Sequence, residues 1–288
     1  MTYPSASTIP DGTQKRRRFA SLKWLFGGTV VLFVAALFLV PAIFHMDPVT
    51  PTGARLLNPG PQHLLGTDQY GRDILARIVV GARWSLGGAL AISAGTALLG
   101  FCIGALAAFS PRIVDTIISR IVDAWLALPT IVIALAVAAL LGRSFNNVVL
   151  AIIFAHWPWH ARIYRSLIRA EKTQTYVTAA RLLGVHPAMV AIQHILPNII
   201  GPAIVVATAA FGSHILSLAS LSFLGLGPQP PLPEWGLMIS EARSFFQLKP
   251  WLMAVPGLAI VVSVLAINMI GDGLRDMLDP AGRAATVA

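Results

Sequence analysis

The sequence predicts an all-α polytopic membrane protein with about six transmembrane helices, and three observations carry that reading. Of its 288 residues, 56% are hydrophobic and only 11% charged, with a mean hydropathy of +0.73. That balance is too apolar for a water-soluble globule of this length. Six apolar runs are long enough to cross about 30 Å of hydrocarbon, which takes roughly 20 residues. Finally, the period-two alternation of barrel strands is absent, and lipid then leaves helices as the way to pair every backbone group.

Taken in order, residues 1–20 read as a cytoplasmic tail, its first 14 rich in Ser, Thr and Pro. Lys15 to Arg18 followed by Leu22–Phe44 resembles a signal peptide. The run exceeds the usual apolar region of about 7–15 residues and lacks a clean small-residue cleavage site, so it reads as a retained first helix. With the loop that follows, it makes up residues 21–83, ahead of a core transmembrane domain at 84–280 and a cytoplasmic tail at 281–288. Within the loop, Ile74, Leu75, Ile78 and Val79 lie opposite Arg72, Asp73 and Arg77. This predicts an amphipathic helix at the outer interface, capped by Thr67 or Asp68.

The second run, Trp84–Phe109, repeats small residues at Gly87, Ala91 and Gly95, then Gly100, Gly104 and Ala108, as close helix packing in lipid requires. Ile117–Leu141 and Val148–Leu167 follow, the latter with Trp157-Pro158-Trp159 expected at a kink. The fifth run, Ile199–Leu226, is expected to begin after Pro197 and Pro202 and carries Ala209, Ser213, Ser217 and Ser220 along one face. Those hydroxyls either line an aqueous path or bond to their own backbone, and His214 beside them reads as packing or pore wall. Four prolines between Pro228 and Pro233 stop the helix, and a short helix over Trp235–Phe246 is expected at the outer interface before the last run, Trp251–Ile270.

The net charge of +9 is distributed by side. With the N-terminus cytoplasmic, Lys15 to Arg18, Lys23, Arg162, Arg165, Arg169, Lys172 and Arg181 fall inside, outnumbering Arg72, Arg77, Arg143 and Arg243 outside. This distribution, without a basic and aromatic soluble module, argues against nucleic acid as a partner. The single cysteine, Cys102, permits no internal disulfide and reads as a small core side chain. No metal-ligand cluster is evident, and His156, His160, His186 and His194 are expected at helix ends and interfaces. No phosphate-binding loop of the G-x-x-x-x-G-K-[ST] type occurs, so the chain is not expected to be an enzyme or to hydrolyse ATP itself. A gradient-driven secondary transporter would carry paired carboxylates deep in the membrane, whereas Asp115 and Asp123 lie near one helix end. A membrane-embedded enzyme would need a metal-binding His/Glu pair or a serine beside a base, and neither presents itself.

Between the fourth and fifth runs, residues 173–187 form a polar break. Tyr176, Ala179, Ala180 and Leu183 make one face of a short helix; Lys172, Thr175, Thr178 and Arg181 make the other. Gly184 suits the left-handed position after a helix end and Pro187 the start of the next helix. Ala180 and Gly184 have almost no side chain, so the segment is either a solvated loop helix or a surface another protein can approach closely.

Here the residues carry a resemblance. Ala179-Ala180, Gly184 and Leu196-Pro197 have the spacing of the coupling motif of ABC-importer permeases. His63 to Arg77 resembles the "HPLGTDxxGRDxxSR" segment of the dipeptide, oligopeptide and nickel permease family, in its C-type subunit. Leu221 to Gly227, with Pro231, Pro233 and Trp235-Gly236, resembles its "LSFLGLGxxPPxPxWG", and Gly271 to Pro280 its "GDGLRDxLDP". The match spans residues 20–280. Two positions depart: Thr178 stands where the motif has an acid, and His194 where it has Ile. The resemblance implies a type I ABC-importer transmembrane-domain fold in a bacterial inner membrane, with both termini cytoplasmic. It implies a homologous second permease subunit and two ATP-binding subunits that carry ATP and Mg, this chain binding no cofactor of its own. An extracytoplasmic binding protein or lipoprotein would deliver a di- or oligopeptide substrate, with nickel and glutathione as the family's alternatives. It further implies that Tyr176, Thr178, Ala179, Ala180, Arg181, Gly184, Leu196 and Pro197 face the ATPase.

Overall fold

The computed structural model of the protein describes residues 46–278, with side chains described for all of them except 272 and 274–278. The expected first span, Leu22–Phe44, and both tails lie outside the described residues. The helices are α1 (Ile74–Phe109), α2 (Arg112–Leu126), α3 (Thr130–Leu141), α4 (Phe145–Lys172), α5 (Thr175–Leu182) and α6 (Pro187–Val190). A π-helical stretch at Ala191–Ile195 leads into α7 (Leu196–Ala209), α8 (Phe211–Phe223), α9 (Trp235–Ala242) and α10 (Trp251–Leu278). No strand forms among the described residues; one isolated bridge joins Thr67 and Asp73.

Three of these helical stretches are long and apolar enough to cross a membrane: Ile74–Phe109, the continuous Pro187–Phe223, and Trp251–Gly271. The pair α2–α3, bent by 88° at a break that contains Pro129, makes a fourth span if counted as one. The bend divides the run expected over Ile117–Leu141 into two helices. Pro129 can neither donate an N–H nor let its predecessor stay helical, so one helix closes at Leu126 and the next opens at Thr130. At 28 residues α4 is also long enough to span, and it packs along α1.

The α1–α4 seam is built on small residues. A Cβ at Gly88 would meet the Phe145 ring at 2.9 Å, one at Gly95 the Ile153 side chain at 2.5 Å, and one at Gly104 the Ala161 carbonyl at 2.7 Å. The contacts advance together along both chains, so α1 and α4 run parallel, as close approach in lipid demands. Gly87 and Ala91 do not belong to this seam: Gly87 faces open space and Ala91 is exposed, and Gly88 takes the place assigned to them. Cys102 likewise faces outward from α1 instead of into the core.

The expected interfacial helix does not form separately. Asp73 caps α1 by accepting from the Ala76 backbone N–H at 2.9 Å, and the residues after it are the first turns of the 36-residue α1. Arg77, expected to face water, is 1% exposed because Glu241 of α9 meets its Nη2 at 2.8 Å. Asp68 and Arg72 complete the cluster, with Arg72 Nε 2.6 Å from Asp68 and Arg72 Nη2 3.3 Å from Glu241. The short helix after the prolines forms as expected, but Trp235 and Met238 are buried against α1, α8 and α10 instead of lying on an interface. Its N-cap, Glu234, accepts from the Gly236 and Leu237 N–H groups at 2.9 and 2.8 Å and from Ser85 of α1 at 3.2 Å.

The fifth run also differs from expectation. Pro197 and Pro202 lie inside the helical stretch, which begins at Pro187 and passes through the π turn. Pro197 sits in the first turn of α7, where its missing N–H costs least, and the wider π turn before it absorbs the extra residue.

Candidate functional site

Loop 46–73 and α9 gather at one end of the bundle, and α5 hangs at the other between α4 and α6. Val177 and Ala180 anchor α5, packing on Ala108, Ile168, Val190 and Ile195. Its open side carries Thr178, Ala179 and Arg181, with Leu182 and Leu183 each 84% exposed. Ala180 is therefore beneath the helix instead of on its open surface, because Val177, three residues earlier, draws that face inward. Gly184 ends the helix at φ +79°, and a Cβ there would meet nothing within 4 Å. Pro197 is exposed and Leu196 half-buried nearby.

Tyr176 does more than share a helix face. Its hydroxyl bonds to Glu171 and to the His194 carbonyl at 3.2 Å, while Asn198 donates to that hydroxyl at 2.7 Å. One polar node thus ties the end of α4, α5 and the π turn together. At the same end Asp115 receives Arg165 at 2.9 Å and also bonds Arg169, and Lys172 donates to the Ala108 carbonyl at 2.6 Å. The sequence reading missed Glu171; an acid seven positions before Thr178 was its only trace.

Ala209, Ser213 and Ser220 are exposed and Ser217 is half-buried, giving α7 and α8 one open small-residue face. Two of the hydroxyls bond to their own helix backbone. Ser213 and Ser220 donate to the Ala210 and Leu216 carbonyls, each at 2.7 Å, yet the face itself is uncovered in this chain. Ser217 instead meets His156 Nε2 at 3.4 Å.

The histidines correct the expectation of helix-end positions. His156 and His160 lie one turn apart in the middle of α4, and His214 of α8 packs on both, with ring centroids 5.4 and 5.7 Å away. His160 and His214 are each 1% exposed. Ser93 of α1 holds His214 Nδ1 at 2.7 Å. Only His186 and His194 keep to their expected places, His186 capping α6 and His194 lying in the π turn. Beside the cluster opens a cavity of about 220 Å³. Among the described residues no three His, Cys, Asp or Glu side chains are arranged to hold a metal ion.

Spanning helices with a short, partly apolar helix slung from one end make the chain an integral membrane protein of the helical-bundle class. The fold agrees with ABC-importer membrane domains. A solved structure of the MetNI methionine ABC transporter in an inward-facing conformation aligns with a TM-score of 0.61 at 16% identity, covering 72% of this chain and 98% of that one. A structure of an amino acid ABC transporter with histidines aligns at 0.54 with 15% identity, over 70% of this chain and 94% of that one. Residues 100–283 match the family described as the binding-protein-dependent transport system inner membrane component. The dipeptide transport system permease protein DppC of Alkalihalophilus pseudofirmus is 41% identical over 92% of this chain and 89% of its own length. The nickel transport system permease protein NikC of Escherichia coli is 40% identical over 79% of this chain and 82% of its own. The chain belongs to the binding-protein-dependent transport system inner membrane component family.

Proposed function

We propose that this chain is one permease half of an ATP-driven importer that moves di- and oligopeptides across a bacterial cytoplasmic membrane, with both termini on the cytoplasmic side. A homologous permease would cover the open face of α7 and α8, two ATPase subunits carrying ATP and Mg would grip α5, and a binding protein or lipoprotein would deliver peptide at the α9 end. The observation that carries this reading is the exposed α5 handle, its Leu182 and Leu183 uncovered beside Gly184, in a chain 41% identical to a dipeptide permease. Exposed apolar side chains on a membrane protein's polar end mark a docking surface. Tyr176, Thr178, Ala179, Arg181, Gly184, Leu196 and Pro197 would border that contact, with Ala180 supporting it from below.

Transport would be a shift between inward-open and outward-open packings, biased by ATP only insofar as ATP favours one arrangement of the ATPase pair. The lever is α5, tied to α4 and α7 through the Tyr176, Glu171 and Asn198 node.

The test is reconstitution of the complete complex in liposomes. ATP-dependent accumulation of labelled dipeptide is expected, and Gly184→Trp abolishes it while the complex still folds. Gly184→Ala, which bears the same left-handed backbone strain without the bulk, retains most of it. Normal transport by Gly184→Trp would sink the lever. Nickel remains the second reading because a nickel permease is 40% identical; ATP-driven nickel uptake without peptide uptake would install it.

A further inference from the structure

The three histidines and their cavity have no role in the lever. We infer that this cavity is a transit subsite for the α-ammonium group of the peptide, an assignment that rests on the peptide reading above. The argument begins with tautomers. His156 Nδ1 lies 3.0 Å from the Ile152 carbonyl and His160 Nδ1 a longer 3.4 Å from the His156 carbonyl. A carbonyl only accepts, so in the neutral rings the proton sits on Nδ1 and Nε2 is left as a lone-pair acceptor. Ser217 donates to that nitrogen of His156. His160 Nε2 has no partner at all, although the residue is 1% exposed. A buried acceptor without a donor calls for an explanation.

The cavity lining answers what kind of donor would come. Among its residues His156, His160, His214, Ser213, Thr130 and Trp159 supply every polar or aromatic group, and none is an Asp, Glu, Lys or Arg. Neutral imidazole nitrogens and hydroxyl oxygens accept from a cation, and the indole ring of Trp159 offers the face to which cations are drawn. The donors in the lining are neutral hydroxyl, indole and imidazole groups, none of which brings a positive charge to hold a carboxylate. A bare metal ion is disfavoured because, among the described residues, no three His, Cys, Asp or Glu side chains converge to hold one. The cationic group that every unmodified peptide carries, whatever its sequence, is its α-ammonium, so a site for it would be indifferent to side chains. The site adjoins the open stripe, since Ser213 belongs to both. A transit site must also release its cargo, and a lining without a counter-charge binds weakly enough for that.

The test uses the complete transporter in liposomes with ATP and two tripeptides. Each carries a diazirine-bearing leucine analogue, one at the first position and one at the last. During turnover, the first-position probe is expected to label Trp159, Ala210 or Ser213 at least fivefold more than the last-position probe. His160→Leu lowers that labelling about tenfold, and His160→Gln, whose amide oxygen can accept, restores part of it. Equal or stronger labelling by the last-position probe overturns the ammonium assignment. Transport of both probes with neither labelling the cavity overturns the subsite itself. Transport of neither probe would instead defeat the peptide reading, and this inference with it.

Discussion

Replacing Glu241 with alanine should be the most damaging single change at the α9 end. Its carboxylate meets Arg77 Nη2 at 2.8 Å and Arg72 Nη2 at 3.3 Å, and the three side chains are only 11, 1 and 5% exposed. Removing one partner of a buried pair costs about 3–5 kcal/mol because the other charge stays behind unsolvated. Here Asp68 remains, 2.6 Å from Arg72 Nε and 3.6 Å from Arg77 Nε, so one carboxylate is left to balance two guanidinium groups. Part of the compensation survives, which puts the loss near the low end, about 3 kcal/mol. At about 2–4 °C per kcal/mol for a chain of this size, the melting midpoint of the detergent-solubilised protein should fall by about 6–12 °C. The internal control is Asp123→Ala. It breaks the Arg162–Asp123 pair, whose side chains are 54 and 50% exposed, and an exposed pair is worth at most about 1 kcal/mol. Tryptophan-fluorescence melting of both variants decides the matter. If Glu241→Ala melts within 2 °C of wild type, the cluster is not a buried electrostatic clamp and the reasoning fails.

Further outcomes follow from the same geometry. Gly104→Val should split the α1–α4 seam, since its Cβ would sit 2.7 Å from the Ala161 carbonyl and 3.0 Å from the Arg165 nitrogen, both backbone; Gly87→Ala, with nothing within 4 Å, should leave the monodisperse yield unchanged or raised in size-exclusion chromatography. Glu234→Ala removes the acceptor for two α9 N–H groups and should cost about 1–2 kcal/mol, seen as faster hydrogen exchange at Gly236 and Leu237. Leu183→Asp places a charge on an 84% exposed apolar position, so it should leave the melting midpoint within about 2 °C while reducing co-purification of the ATPase subunits.

The sequence made legible what depends on local chemistry. Gly184 after α5 and Pro187 opening α6 follow from backbone rules that need no tertiary partner, whereas α8 ends at Phe223 with Gly225 at φ +83°, ahead of the prolines expected to stop it. What it obscured depends on partners far away along the chain. Arg77 looked like a water-facing residue because its counter-charge, Glu241, lies 164 positions on. His156 and His160 were one helical turn apart and so visible as a pair, but His214 and Ser93 reach them only through the packing of α8 and α1. Ala180 shares a helix face with Tyr176 and Leu183 by spacing alone, and only the packing of Val177 on Ile168 and Ile195 turns it inward.

The two ends of the bundle differ in a way that bears on how it would move. At the α9 end, ionic groups are sunk in a closed cluster, the helix cap is buried, and a Cβ at Gly81 would overlap the Pro233 carbonyl at 2.0 Å. At the α5 end, Tyr176 and Asn198 are exposed and Glu171 is half-buried, and most of α5 is exposed. Hydrogen bonds in contact with water exchange at little free-energy cost, whereas a buried cluster resists rearrangement. Between them the α1–α4 seam runs from Gly88 to Gly104, about 24 Å at 1.5 Å per residue, with backbone in contact at Gly104 and no soft side chain there to yield. In the proposed mechanism a push on α5 would therefore pass into α4 and α1 as one body. The displacement would be taken up where packing is discontinuous, at the 88° break before α3 and at the π turn before α7. The histidine cavity is lined by Thr130 at that break and by Ser213 of α8, so motion of the proposed lever would change its shape.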